Sequence, residues 1–324
     1  MINSEAKISV VIPTYNGAEF ICEALESVLE QTSLSDEIIV VDDGSSDNTC
    51  DLVNEVARKS KIPIRLTVLN QNSGGPSRPL NVGIGLAKGE VIFLLDQDDR
   101  MRPRKIELQL RTLRSQPDCV LAIGGLSIID REEGDVSPLW PAPQFDELKD
   151  HLDSTSTFSV IESKIAFVPL LRRNYAASCS NFCFTKQNWQ AIGKFNEKIK
   201  TCSDLDFILR ATIAGPIAII NEKLFDYRWR TSSLQRLSVL RSSLEATMVR
   251  LRAATAKPEW AGDELQALRY SALDLAAACI RNGEFSAIKA TIETLTRHKG
   301  MLTLSRTLRK KAGTLKLGGK IRTF

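Results

Sequence analysis

Short apolar blocks alternate with stretches whose apolar residues recur at helical spacing, from the first residues of the chain onward. Ile8 to Ile12, Glu37 to Val41, Arg65 to Leu69 and Val91 to Leu95 have the length and composition of strands. Between them, Ala18 to Glu30 places Ile21, Leu25, Val28 and Leu29 at helical intervals. Ser46-Asp47-Asn48 offers N-cap chemistry to a helix through Val53, Val56 and Ala57, and Leu80 to Ala87 reads as a third helix. This alternation predicts an α/β fold, a mostly parallel twisted sheet flanked by helices. Ligands of such sheets gather outside the carboxyl ends of the strands. All four ends here are polar: Thr14-Tyr15-Asn16, Asp42-Asp43, Asn70-Gln71-Asn72 and Asp96-Gln97-Asp98-Asp99.

Around Gly124-Gly125 the periodicity fades into a segment rich in Pro, Ser and Asp between Asp130 and Thr157. Regular patterns return with a strand over Asn181 to Thr185, helices over Lys186 to Ile192 and Asp204 to Ala214, and strands over Ile217 to Tyr227. From Leu234 the pattern is purely helical, with Leu234, Leu237, Leu240, Leu244, Met248 and Leu251 keeping one face until Pro258 interrupts it. The expected organisation is therefore an α/β domain over residues 1–230, divided into halves 1–125 and 126–230, followed by an appended C-terminal helical region over 231–324.

Charge and cysteines narrow the class. A net charge of +4 does not imply nucleic acid, and no zinc-finger, RNP-like or helix-turn-helix signature accompanies it. Seven cysteines without a Cys-x-x-Cys pair argue against a disulfide framework and a zinc site, and a reducing cytoplasm fits them best. Nothing resembles a secretory leader before the first strand, and no apolar stretch approaches bilayer length. The tail differs from the body: after Glu293 there are no acids and many Lys and Arg. Met301, Leu304 and Leu308 fall near one helical face among Arg306, Arg309, Lys310 and Lys311, which suits either an interfacial helix on an anionic membrane or a solvated basic terminus.

The candidate chemistry concentrates after the fourth strand, where an uninterrupted apolar run ends in Asp96, Asp98 and Asp99. Two carboxylates about 4 Å apart repel by roughly 4 kcal/mol at an effective dielectric of about 20, so such clustering calls for a cation or for donors. A divalent metal carrying a polyphosphate is one solution. The other is an acidic turn capping a helix that begins near Arg102-Pro103.

Three segments in order, Val10-Val11-Ile12-Pro13-Thr14-Tyr15-Asn16, Val41-Asp42-Asp43-Gly44-Ser45-Ser46-Asp47-Asn48-Thr49 and Leu95-Asp96-Gln97-Asp98-Asp99, resemble the family 2 glycosyltransferases over roughly residues 7–230. The resemblance implies a GT-A fold and inverting transfer from a nucleoside-diphosphate sugar, a UDP-sugar by preference, to a glycan or lipid-linked glycan. It implies that Pro13, Thr14, Tyr15 and Asn16 line the nucleotide pocket and that Asp43 accepts from the base imide, as an acceptor-only carboxylate would. Asp96 and Gln97 would lie near the ribose, with Asp98 as ligand to Mn2+ or Mg2+ and Asp99 orienting its neighbours or capping the next helix. Asn72, Gly74, Arg78 and Asn81 belong to a glycine-led segment of the nucleotide-sugar site. Many members place arginine directly before that asparagine, where this chain has Leu80. Glycines opening a loop and Asn81 packed within a helix are an equal alternative.

In Ser203-Asp204-Leu205-Asp206 the family's acceptor motif is matched at both aspartates, with Ser203 in place of glutamate. Asp204 is then the general base, with Ser203 and Asp206 near the acceptor. Where the family often ends in Tyr-Arg-x-His, a metal ligand, this chain reads Tyr227-Arg228-Trp229-Arg230. Guanidinium cannot ligate a cation, so Arg228 and Arg230 are candidates for the diphosphate instead. Two rivals stay open: a sugar nucleotidyltransferase, which would want a basic glycine-rich loop after the first strand, and a catalytically silent sugar-nucleotide-binding or scaffold protein. The expected location is the cytoplasm, with a peripheral membrane foothold only if the tail engages lipid.

Overall fold

The structure is a computed structural model that describes residues 2–3, 5–129, 145–229, 239–269 and 271–272. Arg230 and the basic tail around Met301 to Lys311 lie outside the described residues, as does most of the Pro-rich stretch that begins at Asp130. The chain divides into two compact units, Met1–Ser233 and Leu234–Phe324.

The first unit is built on one nine-stranded sheet. Strands β1 (Ile8–Thr14), β2 (Glu37–Asp42), β3 (Ile64–Val68) and β4 (Val91–Leu94) lie in the order β3-β2-β1-β4, all parallel. Helices α1 (Ile21–Leu29), α2 (Thr49–Lys59) and α3 (Ser77–Leu86) are the crossovers between them. Every residue of β1 and β4 is buried, as two-sided coverage of an apolar strand requires. Beyond β4 the sheet becomes mixed. Short β5 (Arg100–Met101), β7 (Phe158–Ile161) and β8 (Cys183–Thr185) pair antiparallel with their neighbours, while β6 (Leu121–Ile129) and β9 (Ile217–Arg228) pair parallel. The sheet is thus mixed: parallel through β1 to β4 and between the long strands β6 and β9, and antiparallel where the short strands β5, β7 and β8 join it.

The expectation that order fades at Gly124-Gly125 is corrected: β6 runs straight through both glycines. Its register with β9 shifts there, and a Cβ at Gly124 would come within 2.4 Å of Leu224 Cδ1. Close approach at a bulge demands glycine, and glycine removes the hydrophobic signal. Between that irregular segment and Asn181, where regular patterns are expected to return, lie β7 and α5 (Ser163–Arg172), which holds Pro169 in its interior. In the second unit, α8 (Val239–Ala256) buries Leu244, Met248 and Leu251, and a short α9 (Pro258–Ala261) starts at the proline that interrupts the pattern. No helix among the described residues is long and apolar enough to cross a membrane.

One core residue is ionisable. Lys105 opens α4 (Lys105–Ser115), is fully buried, donates from Nζ to Gln109 Oε1 at 2.5 Å and lies 5.7 Å from the Phe93 ring centroid. Burial depresses its ammonium to about 7. The unfolded chain keeps that proton to much higher pH, so unfolding takes up a proton above neutrality and stability rises with pH, by up to about 1.4 kcal/mol per unit. Melting of wild type and Lys105→Met should therefore converge or diverge steadily between neutral and alkaline pH; parallel curves would show that Lys105 does not titrate there.

Candidate active site

Three loops meet at the carboxyl ends of β1, β2 and β4, tied by side chains that the motifs supply. Gln97 bridges two of them: its Oε1 accepts from Thr14 Oγ1 at 2.5 Å and from Tyr15 N at 2.8 Å, and its Nε2 donates to Tyr15 O at 3.1 Å. This brings the amide against Gly17, where a Cβ would stand 2.3 Å from Gln97 Oε1. Pro13 and Thr14 are buried in the strand end, while Tyr15 is 43 % exposed and presents its ring at the rim. Asn16 links the first loop to the second, donating from N to Ser45 Oγ and accepting from Ser46 N, both at 2.8 Å. The N-terminus of α2 is satisfied by Asp47, whose Oδ1 takes Thr49 N at 3.1 Å, rather than by the side chain of Asn48.

The adjacent acids after β2 have separate roles. Asp42 forms the turn, accepting from Ser45 N at 2.9 Å and from the Ser45 hydroxyl. Asp43 accepts twice at Oδ2, from Ser73 N and Ser73 Oγ, each at 2.8 Å. Its Oδ1 is buried with no partner. A buried carboxylate oxygen without a donor costs stability unless a ligand or water supplies one. Ser73 escapes notice in the sequence, although it sits between two candidates, Asn72 and Gly74.

That third loop, in the half expected to bind nucleotide (1–125), is joined to the half expected to take the acceptor (126–230). Asn72 Oδ1 accepts from Gly74 N at 2.5 Å and Gly74 adopts a φ of 79°, so both shape the turn. Lys200 Nζ donates to Ser73 O at 2.7 Å. Asn81 is a packing residue of α3: its Nδ2 donates to Phe195 O at 2.9 Å and Glu197 Oε1 at 3.0 Å, and its Oδ1 accepts from Phe195 N at 2.9 Å. Arg78, in the first turn of α3, forms no ion pair among the described residues.

The acids after β4 are braced from the far side of the sheet. Asp99 is 2 % exposed; its Oδ2 accepts from Ser178 Oγ at 3.0 Å and Ser180 Oγ at 2.6 Å, its Oδ1 from Arg228 N at 3.0 Å. It does not cap α4, which starts behind Arg104 with no side-chain cap. Ser178 Oγ also lies 2.8 Å from Asp96 Oδ2. Burial, then the charges of Asp98 and Asp204, push the Asp96 carboxyl up to about 7. Asp99 is raised well above the carboxylate range by burial and by Asp98 and Asp96. Burial pushes the Tyr227 hydroxyl up as well, reinforced by the charges of Asp99, Asp98, Asp204 and Asp96. This is the excess of negative charge that a hard cation relieves. Among the described residues no group of three or more His, Cys, Asp or Glu is placed to hold a metal ion.

Asp204 lies in the first turn of α7 (Ser203–Ala214), where the helix N-terminus favours a negative charge. The helix is fixed by Phe207, whose ring stacks on Phe195 at 4.4 Å and meets Phe182 and Phe184 at 5.6 and 5.2 Å. Asp204 and Ser203 are buried at its start, and Asn174 Nδ2 donates to Asp204 Oδ2 at 2.6 Å. Asp206 is 2 % exposed and pairs with Arg210 at 2.6 Å; that guanidinium also holds the carbonyls of Ile192 and Gly193 at the end of α6 (Lys186–Ile192). Arg228 likewise has local partners: Nε donates to Asp98 O at 2.9 Å, Nη2 to Glu23, and the group lies 4.7 Å from the Phe20 ring centroid.

Residues 9–168 match the family described as Glycosyl transferase family 2. The chain belongs to glycosyl transferase family 2. An uncharacterized glycosyltransferase of Rickettsia prowazekii is 32 % identical over 222 residues, 68 % of this chain and 63 % of that protein. Glycosyltransferase GlyG of Streptococcus pneumoniae is 37 % identical over 128 residues, 39 % of this chain and 41 % of its own. The chain spans 32 % to 41 % of the length of the first curated relatives it matches. The family 2 fold is also that of Staphylococcus aureus TarS, whose crystal structure with UDP superposes with a TM-score of 0.58 at 18 % identity, covering 94 % of this chain and 88 % of that one.

Proposed function

We propose that this protein is an inverting glycosyltransferase that moves a sugar from a UDP-sugar to a hydroxyl of a glycan or lipid-linked glycan. The observation that carries the reading is one short segment tied to both sets of acids: Asn174 donates to Asp204, while Ser178 and Ser180 donate to Asp96 and Asp99. This supports a reading with a base opposite a leaving diphosphate. One relative supports the donor class: TarS of S. aureus is named a poly(ribitol-phosphate) β-N-acetylglucosaminyltransferase, and its structures hold UDP and UDP-GlcNAc. The loop Pro13-Thr14-Tyr15-Asn16-Gly17 carries no basic residue, which disfavours a nucleotidyltransferase.

In this mechanism Asp43 Oδ1 accepts the imide hydrogen of uracil and the exposed Tyr15 ring packs on the base. Asp98, with diphosphate oxygens and water, would hold Mg2+ or Mn2+. When bound, the ion neutralises charge that develops on the departing diphosphate. Asp204 takes the proton of the acceptor hydroxyl as that oxygen attacks the anomeric carbon from the opposite face. The α7 N-terminus favours a negative charge at Asp204, and Asn174 aims its carboxylate.

Nucleoside-diphosphate release, measured over a panel of nucleotide sugars with Mg2+, Mn2+ or chelator, tests the reading. Turnover is expected with UDP-sugars and a divalent cation. Asp98→Ala should weaken cation-dependent UDP binding by at least about tenfold. Full activity after exhaustive chelation would remove the metal, and silence toward every nucleotide sugar would favour a binding or scaffold protein.

A further inference from the structure

The family motif points to a base but says nothing of what aims it. Asn174 lies between α5 and the short 3-10 helix Cys179–Asn181, thirty residues before Asp204. Its amide contacts the Asp204 carboxylate at 2.6 Å through Nδ2. Because a carboxylate only accepts, the nitrogen must be the atom that faces it, and the orientation of the amide is fixed by chemistry. The other end, Oδ1, is buried with no partner. Packing alone gives no reason to bury an amide with one end unsatisfied, at the cost of a lost hydrogen bond.

The backbone around Asn174 is held against its own preference. Ala177 adopts a φ of 64°, a left-handed conformation that a residue with a β-carbon disfavours. Asn181 fastens the segment to β6: its Nδ2 donates to Ala176 O at 3.2 Å and Gly124 O at 3.0 Å, and its Oδ1 accepts from Gly124 N at 2.8 Å. Ser178 and Ser180 fasten it to Asp96 and Asp99. One rigid segment therefore touches the acids of the nucleotide half and the aspartate of the acceptor half. Backbone strain maintained by several ties is a mark of placement for function.

We propose that Asn174 is the positioning residue of the Asp204 general base, holding one carboxylate oxygen in register with the acid cluster so that the carboxylate meets the incoming hydroxyl in a fixed orientation. The proposal rests on the reading of Asp204 as base. The hydrogen bond also favours the ionised form of Asp204. Other groups around that carboxylate are Asp96, Cys179 and Tyr227, each of which senses its charge, and Asp206 with Arg210 on the same helix; all are retained in the variants below.

Asn174→Ala, Asn174→Asp and Asp204→Asn are compared with wild type by UDP release from UDP-GlcNAc, with water as the attacking hydroxyl, across a pH series. For Asn174→Ala the expected result is a kcat lower by about tenfold to a hundredfold, since a misplaced reacting group costs on that order, with donor KM nearly unchanged. The acidic limb of its kcat profile moves to higher pH, and further in Asn174→Asp, where a second carboxylate faces the first. Wild-type kcat and an unmoved limb in Asn174→Ala, with Asp204→Asn inactive, would overturn the proposal and leave the base in place. A lower kcat without movement of the limb would make Asn174 a packing residue and also overturn it. Should Asn174→Ala fail to fold, the isosteric Asn174→Asp supplies both readings. Full activity of Asp204→Asn, or silence of the wild type toward UDP-GlcNAc, would overturn the underlying reading and this proposal with it.

Discussion

Asp204→Asn is expected to lower turnover by at least about a hundredfold while leaving UDP affinity nearly unchanged. The substitution keeps shape and volume at a position only 5 % exposed, and the new amide oxygen can still accept from Asn174 Nδ2. What it removes is the ability to take a proton. An uncharged amide loses the favourable interaction with the α7 N-terminus but also relieves repulsion of Asp96, so the melting temperature is followed beside the activity. Steady-state kcat and KM, together with calorimetric UDP binding, separate the two effects. Retained turnover would transfer the role to another carboxylate. Asp206 is poorly placed to inherit it, because its salt bridge to Arg210 holds the end of α6 and its removal should register first as instability.

Much of this arrangement was legible from residue pattern, and the parts that were not have physical reasons. The parallel half announced itself because strands buried on both faces must be apolar throughout, as β1 and β4 are. β6 was hidden by the glycines that its close contact with Leu224 requires. α5 was hidden by Pro169, since a proline ordinarily ends a helix that it occurs in. Lys105 was hidden because charge normally marks a solvated face. Within the site, the motifs located the acids but could not divide labour between neighbours: Asp42 and Asp43 are adjacent in sequence, and only their partners separate a turn former from a carboxylate with an oxygen in reserve. Asn174, Ser178 and Ser180 lie far along the chain from the acids they hold, and contacts of that range leave no local periodicity to read.

Asp43→Asn should exchange one nucleotide preference for another. Ser73 presents two donors, its N–H and its hydroxyl, to one oxygen of Asp43 at 2.8 Å each. In the variant the amide oxygen must stay on that side, because the amide nitrogen would meet donors with a donor. The nitrogen is therefore forced into the place of Oδ1, the atom that has no partner within the chain. An acceptor for the uracil imide becomes a donor that opposes it, and the same donor matches the bare N3 of cytosine. Loss of a hydrogen bond to a charged group costs about 1.5–3 kcal/mol, or roughly tenfold to a hundredfold in UDP affinity, and CDP should gain relative to UDP. Calorimetric titration of wild type and variant with UDP and CDP reads both numbers, and melting curves exclude a folding defect. If the ratio of UDP to CDP affinity stays the same in the two proteins, Asp43 does not face the base, and its unpartnered oxygen has to be explained by something other than the nucleotide.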